Sequence, residues 1–468
     1  MDEPKKLGDM PVDEFREGAH RVADLAADYL ERLESYDVLP KIEPGETRAK
    51  IPASPPVSPE PLDAILSDYR TIVEPYITHW QHPMFMAYFP STATGPGILG
   101  EWLASALNSN VMLWRNAPAS TEVEEVVVSW MRQMLGLPET FDGMLTDTAS
   151  ISSLLSVVAA RHAVAGPDPR LGLRLYASTE AHSSIDKAAI VAGFGRSGIR
   201  KIPADAEFRM RPDALEAAIA EDRAAGWCPV CVVATLGTTS STSVDPCEAI
   251  AAICRREKLW LHVDAAYAGT AAIVPEMRPL LAGWEHADSI VVNPHKWMFT
   301  AFDASLLLYR SPEAFKDAFS IVPEYLRTPD AGAVRNYNEY GIQLGRRFRA
   351  LKMWMQIRWF GVEGIAARLR DHVRMAKLLA SWIEADPDWE LLAPVPFSTV
   401  CFRCRKGDDL DAVNERILQR VNATGKIFLS HTKLDGRYTL RVALGNPRQT
   451  DAHVKACWEL LKGDTPIY

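Results

Sequence analysis

At 468 residues, with 47% hydrophobic and 24% charged side chains, the chain has the makeup of a globular protein too long for one typical core, so two or three sub-domains are expected. Its net charge of -9, without a long basic run, argues against nucleic acid and an anionic membrane as partners. Seven cysteines fit free thiols in a reducing compartment better than a disulfide framework; no signal-type apolar core follows Met1–Lys6 and no apolar stretch approaches membrane-spanning length, so the expected location is cytoplasmic.

Phe15, Ala19, Val22, Ala26, Tyr29 and Leu33 recur at alternating four- and three-residue steps, predicting an amphipathic helix with Asp13 and Glu14 at its positive end. Its narrow apolar seam suits docking on its own subunit or clasping a second one. Seven prolines from Pro40 to Pro61 predict an extended linker that is neither helix nor central strand. Strand and helix then alternate. A strand leads into Leu145–Ser150 and a helix over Ile151–Arg161, followed by a strand over Leu173–Ala177 and helices over Ser183–Ala192 and Pro212–Ala225. Next come a strand over Val230–Leu236, a helix over Pro246–Lys258, and strands over Leu259–Val263, Ser289–Val292 and Ala304–Tyr309. Continuous apolar strands separated by helices imply a mostly parallel sheet covered on both faces, with ligands beyond the carboxyl ends of its strands. A helical stretch over Arg346–Trp359 precedes helices over Ile365–Ile383 and Leu410–Val421, strands over Val400–Phe402, Lys426–Ser430 and Tyr438–Ala443, and a closing helix from Thr450 to Leu461. That pattern reads as a smaller α+β domain. The expected division is 1–85 for the N-terminal helical segment and linker, 86–358 for the large α/β domain and 359–468 for the small domain.

Two apolar strands deliver ionisable residues at their ends: Asp264 after Leu259–Val263, and Lys296 in Asn293-Pro294-His295-Lys296-Trp297 after Ser289–Val292. A buried lysine or carboxylate is costly unless it is paired, neutralised or used covalently. A structural Asp–Lys ion pair would satisfy both. So would pyridoxal 5'-phosphate (PLP), with the lysine amine carrying the cofactor as a Schiff base and the carboxylate keeping the pyridine nitrogen protonated.

Several strings occur together in one order: His82-Pro83-Met84-Phe85-Met86-Ala87-Tyr88-Phe89-Pro90, Ala181-His182-Ser183-Ser184, Val233-Ala234-Thr235-Leu236-Gly237-Thr238-Thr239, the Lys296 segment, and Leu344-Gly345-Arg346-Arg347-Phe348-Arg349. In these the chain resembles the group II PLP-dependent amino-acid decarboxylases, specifically the aromatic-L-amino-acid (DOPA/tryptophan) branch, from about the first helix to the last. The resemblance implies a PLP-dependent transferase-like fold (fold type I) with a seven-stranded sheet, and a homodimer with shared active sites. It calls for no metal. Lys296 and Asp264 take the roles just described, His182 stacks on the cofactor ring and Ala266 lies on the opposite face. Thr235 sits by the cofactor hydroxyl and substrate carboxylate, Ala149 and Ser150 hold the phosphate, and Asn293 and His295 lie near the cofactor. Asp147, where relatives usually have glycine nearer the turn, is expected to point away from the phosphate or to cap the helix.

Tyr325 resembles the mobile-loop tyrosine that protonates Cα after decarboxylation; relatives with Phe there tend towards oxidative aldehyde formation. Trp80, Tyr88, Phe89 and Pro90 match the aromatic wall of the substrate pocket, and Ser91 falls where threonine is usual. Asn110 and Met112 fall where the dimer partner supplies contacts, and Gly345 where a small residue leaves room for a ring. No arginine suited to a distal carboxylate stands out in the pocket. The expected reaction is decarboxylation of an aromatic L-amino acid (Trp, Tyr, Phe or DOPA) to its arylalkylamine. The alternatives are decarboxylation-dependent aldehyde synthesis, a non-aromatic substrate such as histidine, and a catalytically silent scaffold.

Overall fold

The apolar runs pair into a mostly parallel seven-stranded sheet in the computed structural model, which describes residues 8–168, 172–326, 329–330 and 332–463. Its strands are β1 (Asp142–Thr146), β2 (Leu173–Ser178), β3 (Ile199–Ile202), β4 (Cys228–Thr235), β5 (Trp260–Asp264), β6 (Ser289–Val292) and β7 (Ser305–Tyr309). Across the sheet the order is β1-β7-β6-β5-β4-β2-β3, and β7 alone runs antiparallel to its neighbours. Helices on both faces bury the central strands, which explains their unbroken Val, Ile, Leu and Ala content. Register sets the strand ends level: Thr235 pairs with Asp264, and Asp264 with Val291. Polar groups are tolerated there because the ladder stops and a cavity begins.

A second sheet holds β8 (Trp389–Leu391), β9 (Thr399–Cys404), β10 (Ser430–Leu434) and β11 (Arg437–Ala443), antiparallel in the order β10-β11-β9-β8. Val400, Phe402, Leu440 and Val442 on it share a core with Leu379 and Ile383 from the long helix and with Val454 and Leu461 from the last helix. Met84–Ala87 joins this core. The Met86 N–H donates to the Phe428 carbonyl at 2.9 Å, and the Ala443 N–H to the Met86 carbonyl at 2.9 Å.

Some expectations need correction. The strand placed at Lys426–Ser430 begins at Ser430 and runs to Leu434. Ile427 and Leu429 are apolar because they are buried under the small sheet, while β10, an edge strand with the sequence Ser-His-Thr-Lys-Leu, hides in its polar composition. The helix expected from Arg346 starts at Ala350 and runs to Ala385, so the two predicted helices meet at Gly361, whose φ of 63° breaks the helix. Residues 346–349 instead form a loop that turns Arg346 and Arg349 inward. The proline-rich linker contains one short helix, Glu46–Lys50, in the gap between Pro44 and Pro52.

The N-terminal helix, Val12–Glu31, packs through Gly18, whose Cβ position would lie 2.7 Å from Leu62 Cδ2. Three residues of the predicted seam stay open: Phe15 at 52% exposure, Val22 at 44%, and Ala26. Cys228 and Cys231, like Cys401 and Cys404, have a spacing that could suggest disulfides or metal binding. Each pair lies on one strand, where residues three apart face opposite sides, and all seven cysteines are free. Among the described residues no helix is long and apolar enough to cross a membrane.

Candidate active site

A cavity of about 230 Å³ opens where β4, β5 and β6 end, and it collects most of the chemistry-bearing residues. Thr235 ends β4 and Asp264 ends β5. Lys296 lies on the short helix Pro294–Trp297 that follows β6, and His182 caps the helix Ser183–Val191. Ala149, Ser150, Ala266, Asn293, His295 and Phe89 complete the expected residues that line the cavity.

Burial pushes the Lys296 amine below its ordinary value; the Asp264 charge opposes that shift and Arg441 adds to it. Among the described residues no direct ion pair joins Lys296 to Asp264. Asp264 Oδ1 accepts from the Ala266 N–H at 3.1 Å instead. A simple structural ion pair therefore does not account for the two residues. The arrangement leaves a poised amine on one side of the cavity and a fixed carboxylate on the other.

The histidines are held neutral. Burial and the nearby Lys296 lower the His182 pKa, and its Nδ1 accepts from the Ser184 N–H at 3.1 Å, which leaves the ring proton on Nε2. The expected backbone-bonded helix-start role and the cavity-lining role are thus both present. Burial takes His295 down to about 3, and its Nδ1 accepts from the Ala304 N–H at 3.0 Å. Asn293 Nδ2 lies 3.3 Å from its other ring nitrogen, Nε2. Asn293 Oδ1 is a buried atom left without a partner among the described residues. Thr235 Oγ1 is a second buried polar atom without one. Orphaned polar atoms at a cavity wall are what a bound polar group satisfies.

Ala149 and Ser150 open the helix Ala149–Ala165, where free amides and the positive end of the helix favour an anion. Asp147 does not oppose that role. Its Oδ1 accepts from the Thr148 N–H at 2.6 Å and its Oδ2 from Gln343 Nε2 at 3.3 Å, and it is absent from the cavity wall. A lysine amine, a carboxylate, a neutral ring, an anion cradle and two orphaned polar groups in one cavity together fit PLP.

The expected substrate residues divide. Phe89 lines the cavity and stacks on Tyr267 with ring centroids 3.9 Å apart. Trp80 and Tyr88 lie outside it on an exposed aromatic ledge, where Trp80 stacks on Phe85 at 4.2 Å. Pro90 is buried beside Gly445, and the Ser91 hydroxyl donates to the His295 carbonyl at 2.7 Å. Asn110, Met112 and Gly345 gather at a separate place. Asn110 Oδ1 accepts from the Arg346 N–H at 2.9 Å, and the Gly345 Cβ position would lie 3.8 Å from Asn110 Nδ2. Within one chain these three do not reach the cavity. Tyr325 has its backbone in the turn Glu324–Leu326, and its side chain lies outside the described residues.

Sequence reasoning missed Thr148, Ser184, Gly237, Thr239 and Tyr267 on the cavity wall. Tyr267 was foreshadowed, since it directly follows the Asp264-Ala265-Ala266 run. It also missed Arg441, a buried arginine whose guanidinium carbon lies 4.5 Å from the centroid of the Phe89 ring.

The pyridoxal-dependent decarboxylase conserved domain matches residues 44–405. An aromatic-L-amino-acid decarboxylase of Catharanthus roseus is 38% identical over 469 residues, covering 97% of this chain and 94% of that protein. A phenylacetaldehyde synthase of Arabidopsis thaliana is 38% identical over 475 residues, covering 98% of this chain and 97% of that protein. The crystal structure of Oryza sativa TDC with PLP and tryptamine superposes with a TM-score of 0.95 at 38% identity, covering 98% of this chain and 99% of that one. The chain belongs to the group II PLP-dependent amino-acid decarboxylases, and its cofactor is pyridoxal 5'-phosphate.

Proposed function

We propose that this enzyme removes CO2 from an aromatic L-amino acid of the Trp, Tyr, Phe or DOPA type and releases the arylalkylamine. The observation that carries the reading is the convergence of Lys296, Asp264 and neutral His182 on one cavity whose apolar wall is Phe89 stacked on Tyr267. The names of the relatives support the substrate class. Bound PLP supplies the electron sink for the pair left at Cα when CO2 departs.

In this reading the chain's residues divide the work. Lys296 holds the cofactor, and Asp264, fixed by the Ala266 N–H, keeps a proton on the pyridine nitrogen. The amides of Ala149 and Ser150 bind the phosphate. The unpartnered Thr235 hydroxyl binds the substrate carboxylate, and His182 and Ala266 enclose the ring. Tyr325 returns a proton to Cα. Leu99, Trp102, Leu103 and Leu107 expose an apolar face on the helix Gly95–Leu107, which supports a homodimer in which Asn110 and Met112 complete the neighbour's site. A cytoplasmic location completes the reading, supported by seven free cysteines.

The test is a decarboxylation assay over the aromatic amino acids with added PLP, measuring CO2, amine and aldehyde. Amine in step with CO2 supports the proposal, and no CO2 from any member overturns it. The aldehyde-synthase relative favours a second reading, in which carbonyl product and peroxide accompany CO2.

A further inference from the structure

Three strands of the small sheet converge on Ser240, which adjoins the cavity-lining Thr239. From β9 the Cys401 thiol donates to the Ser240 carbonyl at 3.2 Å, and from β11 Arg441 Nε donates to the same oxygen at 3.1 Å. From β10 the Thr432 hydroxyl donates to Ser240 Oγ at 2.9 Å. Arg441 reaches further. Its Nη1 donates to the Tyr88 carbonyl, and its guanidinium covers the Phe89 ring. The Tyr88 N–H is held in turn by Ser430 Oγ at 3.1 Å, in a backbone with φ of 51° that a side chain rarely adopts unaided.

Arg441 is buried, its hydrogen bonds go to carbonyl oxygens rather than a carboxylate, and its Nη2 has no partner among the described residues. An uncompensated buried cation is a poor way to fill space, and an apolar side chain of similar volume would serve packing better. The planar fork of donors is what the place requires, because it spans two carbonyls from different segments while its carbon sits over a ring.

We infer that Arg441 is a positioning residue of the active site, holding the Ser240 loop and the Tyr88–Phe89 segment in fixed relation so that the small sheet sets the Phe89 wall of the cavity. A second consequence is electrostatic. The groups acting on or sensing Lys296 are Asp264, His182, His295 and Arg441, and Arg441 is the fixed cation among them.

The inference rests on Lys296 being the cofactor lysine, and the experiment keeps the two apart. Arg441→Lys and Arg441→Met are made in the full chain loaded with PLP. Three quantities are measured: kcat and KM, the pH midpoint of the absorbance of bound PLP, and the thermal midpoint. Arg441→Lys keeps the charge but cannot span both carbonyls, so kcat falls about tenfold or more while the absorbance midpoint stays within about 0.2 units. Arg441→Met loses both features, so kcat falls and the midpoint rises by about half a unit or more.

Wild-type kcat in Arg441→Lys overturns the inference, and so does a lowered thermal midpoint with kcat and absorbance unmoved in both variants. If Arg441→Met does not fold, Arg441→Lys decides alone: reduced kcat with an unmoved midpoint supports the inference, and any other result overturns it. Lys296→Ala tests the parent reading separately. If it retains the titrating absorbance, that reading fails, while the kcat of the Arg441 variants still judges the clamp.

Discussion

Arg346 Nη2 lies 2.6 Å from Glu124 Oε1, and both side chains are buried. The same nitrogen donates to the Leu145 carbonyl at 2.7 Å, Nη1 donates to the Val111 carbonyl at 3.0 Å, and Glu124 Oε1 accepts from the Leu145 N–H at 2.9 Å. The pair therefore ties the loop before the long helix to β1, the strand that leads into the phosphate cradle. Removing one partner strands the other charge. Arg346→Met is expected to cost about 3–5 kcal/mol in urea unfolding, and Arg346→Met combined with Glu124→Leu to recover part of it. A loss below about 1 kcal/mol for the single variant would show that the pair is not holding the segment.

Gly100 marks a close approach of the helix Gly95–Leu107 to the helix Ala350–Ala385. A Cβ there would lie 2.6 Å from Lys352 Cα and 3.1 Å from its nitrogen, so backbone rather than a flexible side chain would have to yield. Lys352 is itself buried and pairs with Glu101 at 2.7 Å. Gly100→Ala is expected to destabilise by about 1–3 kcal/mol despite its better helix propensity. An unchanged or raised thermal midpoint would contradict the close packing.

Acid sensitivity follows from histidines that folding keeps neutral. Burial takes His372 to about 4, with Trp297 Nε1 donating to its Nδ1 at 3.2 Å and its Nε2 placed 3.0 Å from the Asn446 carbonyl. His82 and His262 are likewise lowered to about 4 by burial. Between the ordinary histidine value and pH 4 the unfolded chain binds protons that the folded chain refuses, so stability falls as pH drops through that window. Asp245, raised by burial to about 7, works in the opposite sense, so the wild-type slope alone is not diagnostic. The comparison with His372→Gln is. The variant should lose stability less steeply between pH 6 and 4, by up to about 1.4 kcal/mol per pH unit. Parallel urea-midpoint curves for the two proteins would refute the assignment.

The carboxylate at the end of β5 is expected to matter for chemistry more than for cofactor retention. Asp264→Asn should keep PLP absorbance on gel filtration yet lose kcat on the order of 10³-fold, whereas Lys296→Ala should lose covalent trapping by borohydride. An Asp264→Asn enzyme within about threefold of wild type would remove Asp264 from its proposed role.

Much of this site was legible because its key residues break a pattern. Asp264 and Lys296 stand at the ends of apolar strands, where an ionisable group needs a reason. Ala149 and Ser150 were visible as a helix start with small, hydroxyl-bearing residues. Arg441 was not legible. In Leu440-Arg441-Val442 it reads as the outward member of an alternating strand, and carbonyl partners leave no trace in side-chain sequence. β10 was misplaced because burial, not pairing, explains the apolar Ile427–Leu429 run. The open positions of Trp80 and Tyr88, and the distance of Asn110 and Met112 from the cavity, involve surfaces that one chain's pattern does not place.

The ends of β4, β5 and β6 belong to the rigid large sheet, while Met86–Phe89 hangs from the small one. The β10–β11 hairpin therefore carries both the backing of the Phe89 wall and, in Arg441, a cation felt at Lys296. Grafting the 84–91 segment together with that hairpin from a homologue should transplant side-chain preference, and should leave the electronics of the bound vitamin as they were only where the donor keeps an arginine at position 441.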